Sequence, residues 1–223
     1  MGLEKLAIVD LDGTLVRGQS QLLLLRFLRE RKEIGWWYFF RLYTWFMLYK
    51  LGIVQDPQKP LRQALRFLVG KNVADVESLV RTFVDSKLSS ITFREGIDLL
   101  RSYKERGQEI LLLSSAAEPL VKEVARFFGI DHYIGTKLRH TNGRYTGDID
   151  GTIVYGDTKA DSARAWAKER QLALAESVAY ADHGSDLPLL ESVGRPVAVN
   201  PDRNLAKEAR LRGWEVLRFK ETG

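Results

Sequence analysis

The 223-residue chain contains no cysteine, and it has only three histidines, His132, His140 and His183. The absence of thiols excludes disulfides and thiolate metal sites, and the wide separation of the histidines gives no zinc-binding signature. The N-terminus also lacks the basic, apolar and small-residue pattern of an export signal. We therefore expect a cytoplasmic protein.

The chain has no large excess of charge of one sign. Its net charge is +5, and 28% of its residues are charged beside 45% that are apolar, which is typical of a globular protein. A balance of this size suits anionic substrates or acidic lipid and does not single out nucleic acid, so we expect no nucleic-acid partner. The length fits one large domain or a core with a smaller insert, in a monomer or a homodimer.

Apolar strand patterns alternate with helix patterns over most of the chain. Strands are predicted at residues 6–9, 109–113, 133–138, 144–146, 152–155, 177–181, 196–199 and 215–219. Helices are predicted between several of them, at residues 94–106, 160–170 and 205–212. This alternation predicts an α/β fold with a Rossmann-like parallel sheet flanked by helices.

The block between Arg17 and about Ser90 contains no strand pattern. Helices are predicted there at residues 21–31, 36–50, 61–69 and 73–88, with Ser20 as a candidate cap of the first. We therefore predict an all-helical insert after the first strand. It occupies residues 17–91, and the core is formed by residues 1–16 and 92–223.

The helix predicted at residues 36–50 is the most unusual segment of the sequence. It is apolar almost all the way round, apart from Arg41, Thr44 and Lys50. A helix of this kind is either deeply buried or in contact with lipid, but this one is too short and too interrupted for a membrane span. We favour burial within the insert or in a dimer contact. Attachment to a membrane surface through its aromatics and flanking cations is the alternative.

Two carboxylates follow the first strand. Asp10 and Asp12 come directly after the apolar residues 6–9 and precede a Gly13-Thr14 turn. Because positions i and i+2 of an extended segment point the same way, both should reach one volume at the carboxyl end of the strand, where open α/β sheets bind ligands. A cation or a shared proton must then separate them. For this segment alone, an acidic turn without a metal is the simpler interpretation.

Later parts of the chain supply further polar groups at the same kind of position. Ser114 follows a second buried strand, Asp182 and Asp186 follow a later one, and Lys159 opens a helix between them. Carboxylates without histidine or cysteine suit a hard ion, Mg²⁺ in particular. A hydroxyl and an ammonium complete a cradle for a phosphate. Positioning and charge neutralisation carry most of the catalysis of phosphoryl transfer, so this set of groups favours that chemistry.

Four segments of the chain, in order, resemble the motifs of the haloacid dehalogenase superfamily of phosphohydrolases. They are Asp10-Leu11-Asp12-Gly13-Thr14-Leu15-Val16, the strand Leu111-Leu112-Leu113-Ser114, Lys159 in Gly-Asp-Thr-Lys, and Asp182-His183-Gly184-Ser185-Asp186. The Leu-Pro-Leu-Leu continuation and the helical insert are similar to the phosphoserine-phosphatase-like branch, subfamily IB. The resemblance implies a phosphoric monoester hydrolase in which the insert is a cap domain over the site.

The resemblance also implies a role for each matching residue. Asp10 would attack phosphorus and become an aspartyl-phosphate. Asp12 would protonate the leaving alcohol and then take a proton from the attacking water. Ser114 and Lys159 would hold phosphate oxygens, and Lys159 would offset the charge of Asp10.

Four positions match the metal ligands of the superfamily. The resemblance implies that Mg²⁺ is bound by Asp10, by the backbone carbonyl of Asp12 and by Asp182, with Asp186 supporting it directly or through water. Dehalogenases of this superfamily lack an acid at the position of Asp12, so the sequence favours a phosphatase over a dehalogenase.

The resemblance leaves the substrate open. Phosphoserine phosphatases use an acidic residue shortly after the first motif to pair with the substrate's amino group, and Gln19 stands there in this chain. Some relatives hydrolyse other amino-alcohol phosphates such as histidinol phosphate, and some are associated with lysophospholipid metabolism. Candidate residues for lining the substrate pocket are Arg17, Gln19, Arg62 and Arg66.

Three functions are compatible with these patterns. The first is a Mg²⁺-dependent phosphatase of a small phosphorylated metabolite, which we favour. The second is a lipid-phosphate phosphatase of the lysophospholipid type, working at a membrane surface through the helix at residues 36–50. The third is a non-catalytic binding module, which the presence of a suitable residue at every catalytic position argues against.

Overall fold

Eight strands lie in the part of the chain that the computed structural model describes, residues 5–50 and 64–220. In chain order they are β1 Leu6–Val9, β2 Glu109–Ala117, β3 His132–Thr136, β4 Leu138–Thr141, β5 Arg144–Ile149, β6 Ser177–Ala181, β7 Arg195–Val199 and β8 Glu215–Leu217. Six of them form a sheet in the order β3-β2-β1-β6-β7-β8, and all neighbouring strands of this sheet are parallel. The predicted Rossmann-like α/β fold is confirmed.

Helices cover both faces of this sheet. In chain order the described helices are α1 Ser20–Glu30, α2 Trp36–Lys50, α3 Val73–Lys87, α4 Arg94–Glu105, α5 Glu118–Phe128, α6 Asp157–Glu169, α7 Leu187–Leu190 and α8 Arg203–Arg212. The helix predicted at residues 61–69 lies partly outside the described residues, and its described end contains the 3₁₀ turn Arg66–Leu68. As predicted, no strand lies in the described part of residues 17–91.

Alternate residues of β1 face two separate apolar cores. Ala7 and Val9 pack with residues of α3, α4 and α5, whereas Leu6 and Ile8 pack with residues of α6, α7 and α8. All four side chains are fully buried. A parallel strand that is covered by helices on both faces needs a continuous apolar run. This explains why the chain reaches Asp10 without any earlier polar side chain in the strand.

Two predicted strands differ from the structure. The segment at residues 133–138 is divided between β3 and β4, and residues 152–155 do not form a strand. A side-chain hydrogen bond takes the place of ladder pairing in the second segment, because the Val154 N–H donates to Thr136 Oγ1 at 3.2 Å. The strand propensity of residues 152–155 is therefore overridden by a tertiary contact.

Strand β2 is longer than predicted. It continues to Ala117, and its register against β3 shifts between Leu113 and Ala117. Within this irregular end, the Ser114 hydroxyl accepts a hydrogen bond from the Ala116 N–H at 3.2 Å. Ser114 consequently lies inside the strand, and the prediction that it follows the strand is wrong.

Helix α2 forms as predicted, but it is not buried on all sides within the insert. The side chains of Trp36, Trp37 and Phe40 are 63%, 91% and 63% exposed, whereas Leu42 is buried. The helix therefore carries apolar side chains on all sides, but the rest of the protein covers only some of those sides. None of the described helices is both long enough and apolar enough to cross a membrane.

Helix α3 lies in the predicted insert, yet it is bonded to α5 of the core. Glu123 of α5 has a side chain that is only 1% exposed, and it accepts hydrogen bonds from Arg81 at 3.1 Å and from Arg126 at 2.6 Å. Burial raises the pKa of Glu123, but the hydrogen bonds from both arginines outweigh this and hold that pKa below its usual value. A second ion pair, Lys122–Glu77 at 2.7 Å, joins the same two helices.

The β4–β5 hairpin bonds to the chain just before α3. The Gly70 N–H donates to the Tyr145 carbonyl at 2.9 Å, the Tyr145 N–H donates to the Lys71 carbonyl at 3.0 Å, and the Val73 N–H donates to the Gly143 carbonyl at 2.9 Å. Residues 70–73 therefore pair with the hairpin through backbone groups, and the Arg144 guanidinium adds a hydrogen bond to the Gly70 carbonyl at 2.7 Å. The entry to α3 is fixed to the core at this point.

Replacing the two arginines that bond to Glu123 should lower the free energy of unfolding by more than removing the charge of the glutamate does. In Arg81→Ala/Arg126→Ala a buried carboxylate loses its cations, and we expect the free energy of unfolding to fall by about 3 kcal/mol. Glu123→Gln should lower it by about 1 kcal/mol. Urea denaturation at neutral pH measures both. The control Arg101→Ala removes an exposed arginine that pairs with Asp98 and should change the value by less than about 0.5 kcal/mol. A double variant no costlier than Glu123→Gln would contradict the prediction.

Candidate active site

The ends of β1 and β6 lie side by side at one edge of the sheet, next to the middle of β2. Val9 of β1 pairs with Leu112 of β2 and with Tyr180 of β6. The Asp10 N–H then donates to the Tyr180 carbonyl at 3.0 Å. Asp10 and Asp182 are the first residues after β1 and β6, so the parallel register brings both to the same edge.

Lys159 reaches this edge from the first turn of α6. Its buried ammonium nitrogen lies 2.7 Å from Asp10 Oδ1 and 2.9 Å and 3.0 Å from the two carboxylate oxygens of Asp186. The start of α6 is fixed locally, because the Thr158 hydroxyl accepts a hydrogen bond from the Tyr155 N–H at 2.9 Å. Three residues that are distant in sequence therefore meet in one buried ion-pair network.

Three carboxylates form a cluster beside that ammonium. Asp10, Asp182 and Asp186 each offer one oxygen, and these oxygens all lie within 4.8 Å of one another. A set of oxygen donors without nitrogen or sulfur suits a hard divalent cation. The residues present therefore fit a metal of this class.

Burial dominates the electrostatics of the cluster. It raises the pKa of Asp10 and of Asp182 well above the ordinary value of 3.8, and neighbouring carboxylates raise both further while Lys159 opposes them. Burial lowers the pKa of Lys159, but the charges of Asp10 and Asp186 outweigh it and leave that pKa raised. One ammonium does not balance three carboxylates, and the excess negative charge must be relieved by protons or by a cation.

Asp12 is held separately from the cluster, at the start of α1. Its Oδ1 accepts a hydrogen bond from the Ser20 N–H at 2.6 Å. Burial raises the pKa of Asp12 to about 6, although the hydrogen bond from Ser20 opposes the shift. A carboxyl group with a pKa in this range can both give and take a proton near neutral pH.

This contact corrects the predicted cap of α1. Gln19 occupies the N-cap position and makes no side-chain cap hydrogen bond, and Ser20 is the first helical residue. The Asp12 carboxylate, from outside the helix, accepts a hydrogen bond from one of the free N–H groups at the helix start, which a capping side chain usually satisfies. The position of Asp12 therefore depends on the first turn of the helical insert.

The structure describes three of the four residues predicted to line a substrate pocket. The Arg17 guanidinium donates to the Ser90 carbonyl at 2.8 Å. Arg66 is exposed within the turn Arg66–Leu68, and Arg62 lies outside the described residues. Gln19 directly precedes Ser20, whose N–H donates to Asp12.

Gly13 has a role in the site that the sequence analysis did not identify. It adopts a positive φ of 77°, and a Cβ built there would lie 1.9 Å from Asp182 Oδ2. Two requirements, a left-handed backbone and space for a carboxylate, therefore exclude other residues at this position. The Gly-Thr turn after Asp12 was the available signal for the first requirement, whereas the second depends on a partner 169 positions away.

Gly13→Ala should displace Asp182 and weaken divalent-metal binding by at least about tenfold, which calorimetric titration with Mg²⁺ would measure. Gly107→Ala is a matched control, since Gly107 has a φ of 65° and an added Cβ would meet no atom within 4 Å. Both variants carry a backbone cost of about 1 kcal/mol, but only the first should change metal affinity. Equal affinities in the two variants would show that Asp182 tolerates the added methyl group.

The comparisons with known proteins agree with this arrangement. Residues 7–191 match the model of the haloacid dehalogenase-like hydrolase family. A probable phosphatase of Mycobacterium tuberculosis (strain ATCC 25618 / H37Rv) is 35% identical over 178 residues, which are 79% of this chain and 62% of the relative. A phosphoserine phosphatase of the same strain is 30% identical over 220 residues, which are 96% of this chain and 70% of the relative.

The fold has a counterpart among solved structures. The crystal structure of a protein with unknown function from Bordetella pertussis Tohama I has a TM-score of 0.86 and 27% identity, and the match covers 97% of this chain and 99% of the other. The family model spans all four motifs that the sequence analysis identified, from Asp10 to Asp186. The chain belongs to the haloacid dehalogenase-like hydrolase family.

Proposed function

We propose that the protein is a Mg²⁺-dependent phosphatase that hydrolyses a small phosphorylated metabolite through an aspartyl-phosphate on Asp10. The observation that carries this proposal is the position of the Lys159 ammonium, 2.7 Å from Asp10 Oδ1 and 2.9 Å from an oxygen of Asp186 at the carboxyl edge of the sheet. Two of the relatives that the chain matches are named as phosphatases. We further propose that the protein acts in the cytoplasm.

The proposed reaction has two displacement steps at phosphorus. In the first, a carboxylate oxygen of Asp10 attacks phosphorus, the bond to the leaving oxygen breaks, and Asp12 gives that oxygen a proton. In the second, Asp12 takes a proton from a water molecule, whose oxygen attacks phosphorus and releases inorganic phosphate and free Asp10. The raised pKa of Asp12, about 6, supports its role as proton donor in the first step and as proton acceptor in the second.

The remaining residues of the site are proposed to bind the phosphate group and the metal and to neutralise their charges. Lys159 and the Ser114 hydroxyl are proposed to hold phosphate oxygens, and Lys159 also keeps Asp10 in place by its ion pair. The metal would be held by Asp10, Asp182, Asp186 and the backbone carbonyl of Asp12. When bound, it would supply positive charge against the transferring phosphoryl group.

We propose that residues 17–91 form a cap domain on a core of residues 1–16 and 92–223. The contact from Ser20 of α1 to Asp12 supports this division, because it places the first turn of the insert against the proposed proton donor. Such a cap would exclude water from the site and contact the leaving group. Gln19 is uncharged and cannot form an ion pair with the ammonium of phosphoserine, so we propose a different phosphomonoester as substrate. Arg17, Arg62 and Arg66 remain proposed substrate contacts.

Metal addition tests the proposal directly. We expect p-nitrophenyl phosphate hydrolysis with Mg²⁺ and its loss with chelator, and we expect saturating Mg²⁺ to raise the melting temperature by about 5 °C or more. Because the pKa values of Asp10 and Asp182 are raised, the metal-free protein should lose stability as pH rises above the ordinary carboxyl value of 3.8. The stabilisation by Mg²⁺ should therefore be larger at about pH 8 than at about pH 5. Hydrolysis unaffected by chelator would contradict the metal dependence.

A second candidate function differs only in its substrate. The exposed aromatic side chains of α2 favour a lipid-phosphate phosphatase that works at a membrane surface. A panel of phosphorylated metabolites and lysolipid phosphates, assayed with Mg²⁺, separates the two candidates. A kcat/KM that is higher for lysolipid phosphates than for every soluble metabolite would favour the second.

A further inference from the structure

One side of α2 exposes large aromatic side chains. Trp36, Trp37 and Phe40 are 63%, 91% and 63% exposed, and we call these three residues the aromatic stripe. Arg41 and Thr44 are exposed as well. At 100° per residue, all five positions fall within an arc of about 140° on the helix surface. The exposed side of α2 is therefore a continuous surface.

The opposite side of α2 holds the helix to the rest of the protein. Leu42 is buried, and the Tyr38 hydroxyl accepts a hydrogen bond from the Phe67 N–H at 3.3 Å. The aromatic stripe takes no part in these contacts. Three large aromatic side chains exposed side by side are unfavourable in water and mark an interaction surface.

The segment that carries the stripe is strongly basic. Residues 20–50 contain six arginines and lysines and two glutamates, which gives a net charge of +4. Both glutamates pair with lysines from outside the segment, Glu30 with Lys87 at 3.5 Å and Glu33 with Lys71 at 2.7 Å. The Arg29 guanidinium lies 4.1 Å from the centre of the Trp36 ring, so positive charge directly adjoins the stripe.

Charge decides between the possible occupants of this surface. A second copy of the chain would place one +4 segment against another, which costs free energy. An anionic lipid surface offers both the negative charge and the polar–apolar boundary at which tryptophan side chains are stable. We propose that the aromatic stripe of α2 docks the protein on the surface of an anionic lipid bilayer, with the neighbouring cations against lipid phosphates.

The docking surface is separate from the candidate active site. Helix α1 connects them, since its first residue, Ser20, binds Asp12, and its 11 residues span about 16 Å. The proposal concerns binding, and it holds whether the substrate is a lipid phosphate or a soluble phosphate. Its test therefore uses lipid vesicles without any substrate.

Vesicle flotation at low salt tests the proposal with the whole 223-residue chain. We expect it to float with phosphatidylcholine vesicles that contain phosphatidylglycerol, and to float much less with pure phosphatidylcholine or at high salt. Trp37→Ala/Phe40→Ala should reduce the bound fraction by about tenfold or more. Arg31→Gln/Lys32→Gln should reduce it by about fivefold for each cation removed.

Matched controls separate the stripe from general surface effects. Leu211→Ala removes another exposed apolar side chain, 70% exposed on α8, and Arg203→Gln/Lys207→Gln removes two cations from the same helix. Neither should change flotation. Circular dichroism and the melting temperature establish that each variant is folded. Quenching of tryptophan fluorescence by brominated lipid, and its reduction in Trp37→Phe, would place the stripe at the membrane.

Three outcomes would overturn the proposal. The first is protein that stays at the bottom of the gradient with anionic vesicles at low salt. The second is flotation that Trp37→Ala/Phe40→Ala does not reduce. The third is a dimer in light scattering that this double variant dissociates, without binding to vesicles, which would assign the stripe to a second copy of the chain.

Discussion

Asp10→Asn should reduce kcat/KM for any phosphomonoester by at least about 10⁴-fold. The carboxamide is a poor nucleophile, and it also removes the charge that the Lys159 ammonium contacts at 2.7 Å. Steady-state hydrolysis of p-nitrophenyl phosphate measures the loss. Acid quenching during turnover with a labelled phosphomonoester should trap an acid-stable, hydroxylamine-sensitive phosphoenzyme in the parent protein, and none in the variant.

The control for this substitution is Asp161→Asn. Asp161 is an exposed residue of α6, two positions from Lys159, and it pairs with Arg164. We expect the kcat/KM of Asp161→Asn to stay within about twofold of the parent value. Asp10→Asn should fold, because it relieves repulsion among the buried carboxylates Asp10, Asp182 and Asp186. A folded Asp10→Asn protein that retains the parent rate would remove the covalent mechanism.

Lys159→Met should cost both activity and metal-free stability. The side chain keeps similar length and loses its charge, so the phosphate oxygens lose a cation and Asp10 and Asp186 lose their shared partner. We expect kcat/KM to fall by at least about 10³-fold. Breaking a buried ion pair in this way typically costs about 3 kcal/mol, which thermal unfolding in the presence of chelator would detect.

The matched control for Lys159→Met is Lys168→Met, which changes an exposed lysine of the same helix. Lys168→Met should leave kcat/KM and the stability of the metal-free protein near their parent values. Since Mg²⁺ supplies the missing positive charge, we also expect it to stabilise Lys159→Met by more than it stabilises the parent protein. A variant that loses activity but melts like the parent in chelator would limit Lys159 to phosphate binding.

The parts of the fold that repeat simple patterns could be predicted from the sequence. The apolar run at residues 6–9 specifies a strand buried on both faces, and the carboxylates after it specify the edge at which a site forms. Lys159, Asp182 and Asp186 could be added because each lies shortly after a strand or at a helix start. The structure brings these residues together at the distances that ion pairs and metal ligands require.

The contacts that depend on long-range geometry could not be predicted. Nothing local to Ser20 indicates that its N–H binds Asp12. The packing of Asp182 against Gly13 requires knowledge of how β6 lies beside β1. The division of residues 133–138 between two strands arises because β3 pairs with the distant strand β2, whereas β4 pairs with β5 in a hairpin.

The predicted role of Arg17 illustrates a further limit. The structure shows that the Arg17 guanidinium donates to the Ser90 carbonyl at the other end of the helical insert, and its predicted contact with substrate stays a prediction. Backbone carbonyls near chain reversals compete for such side chains, and sequence alone does not reveal them. The exposure of the aromatic stripe could not be predicted either. A helix that is apolar on all sides carries no sequence pattern that identifies which side faces solvent.

The backbone pairing of residues 70–73 with the β4–β5 hairpin restricts how the active site can open. Together with the bond from Arg81 of α3 to Glu123 of α5, this pairing ties α3 to the core at two places. If the proposed cap opens, we therefore expect its hinge on the N-terminal side of residue 70, and a displacement of α1 would move the Ser20 N–H away from Asp12. We predict that such an opening would both admit substrate and free the carboxylate of the proposed proton donor.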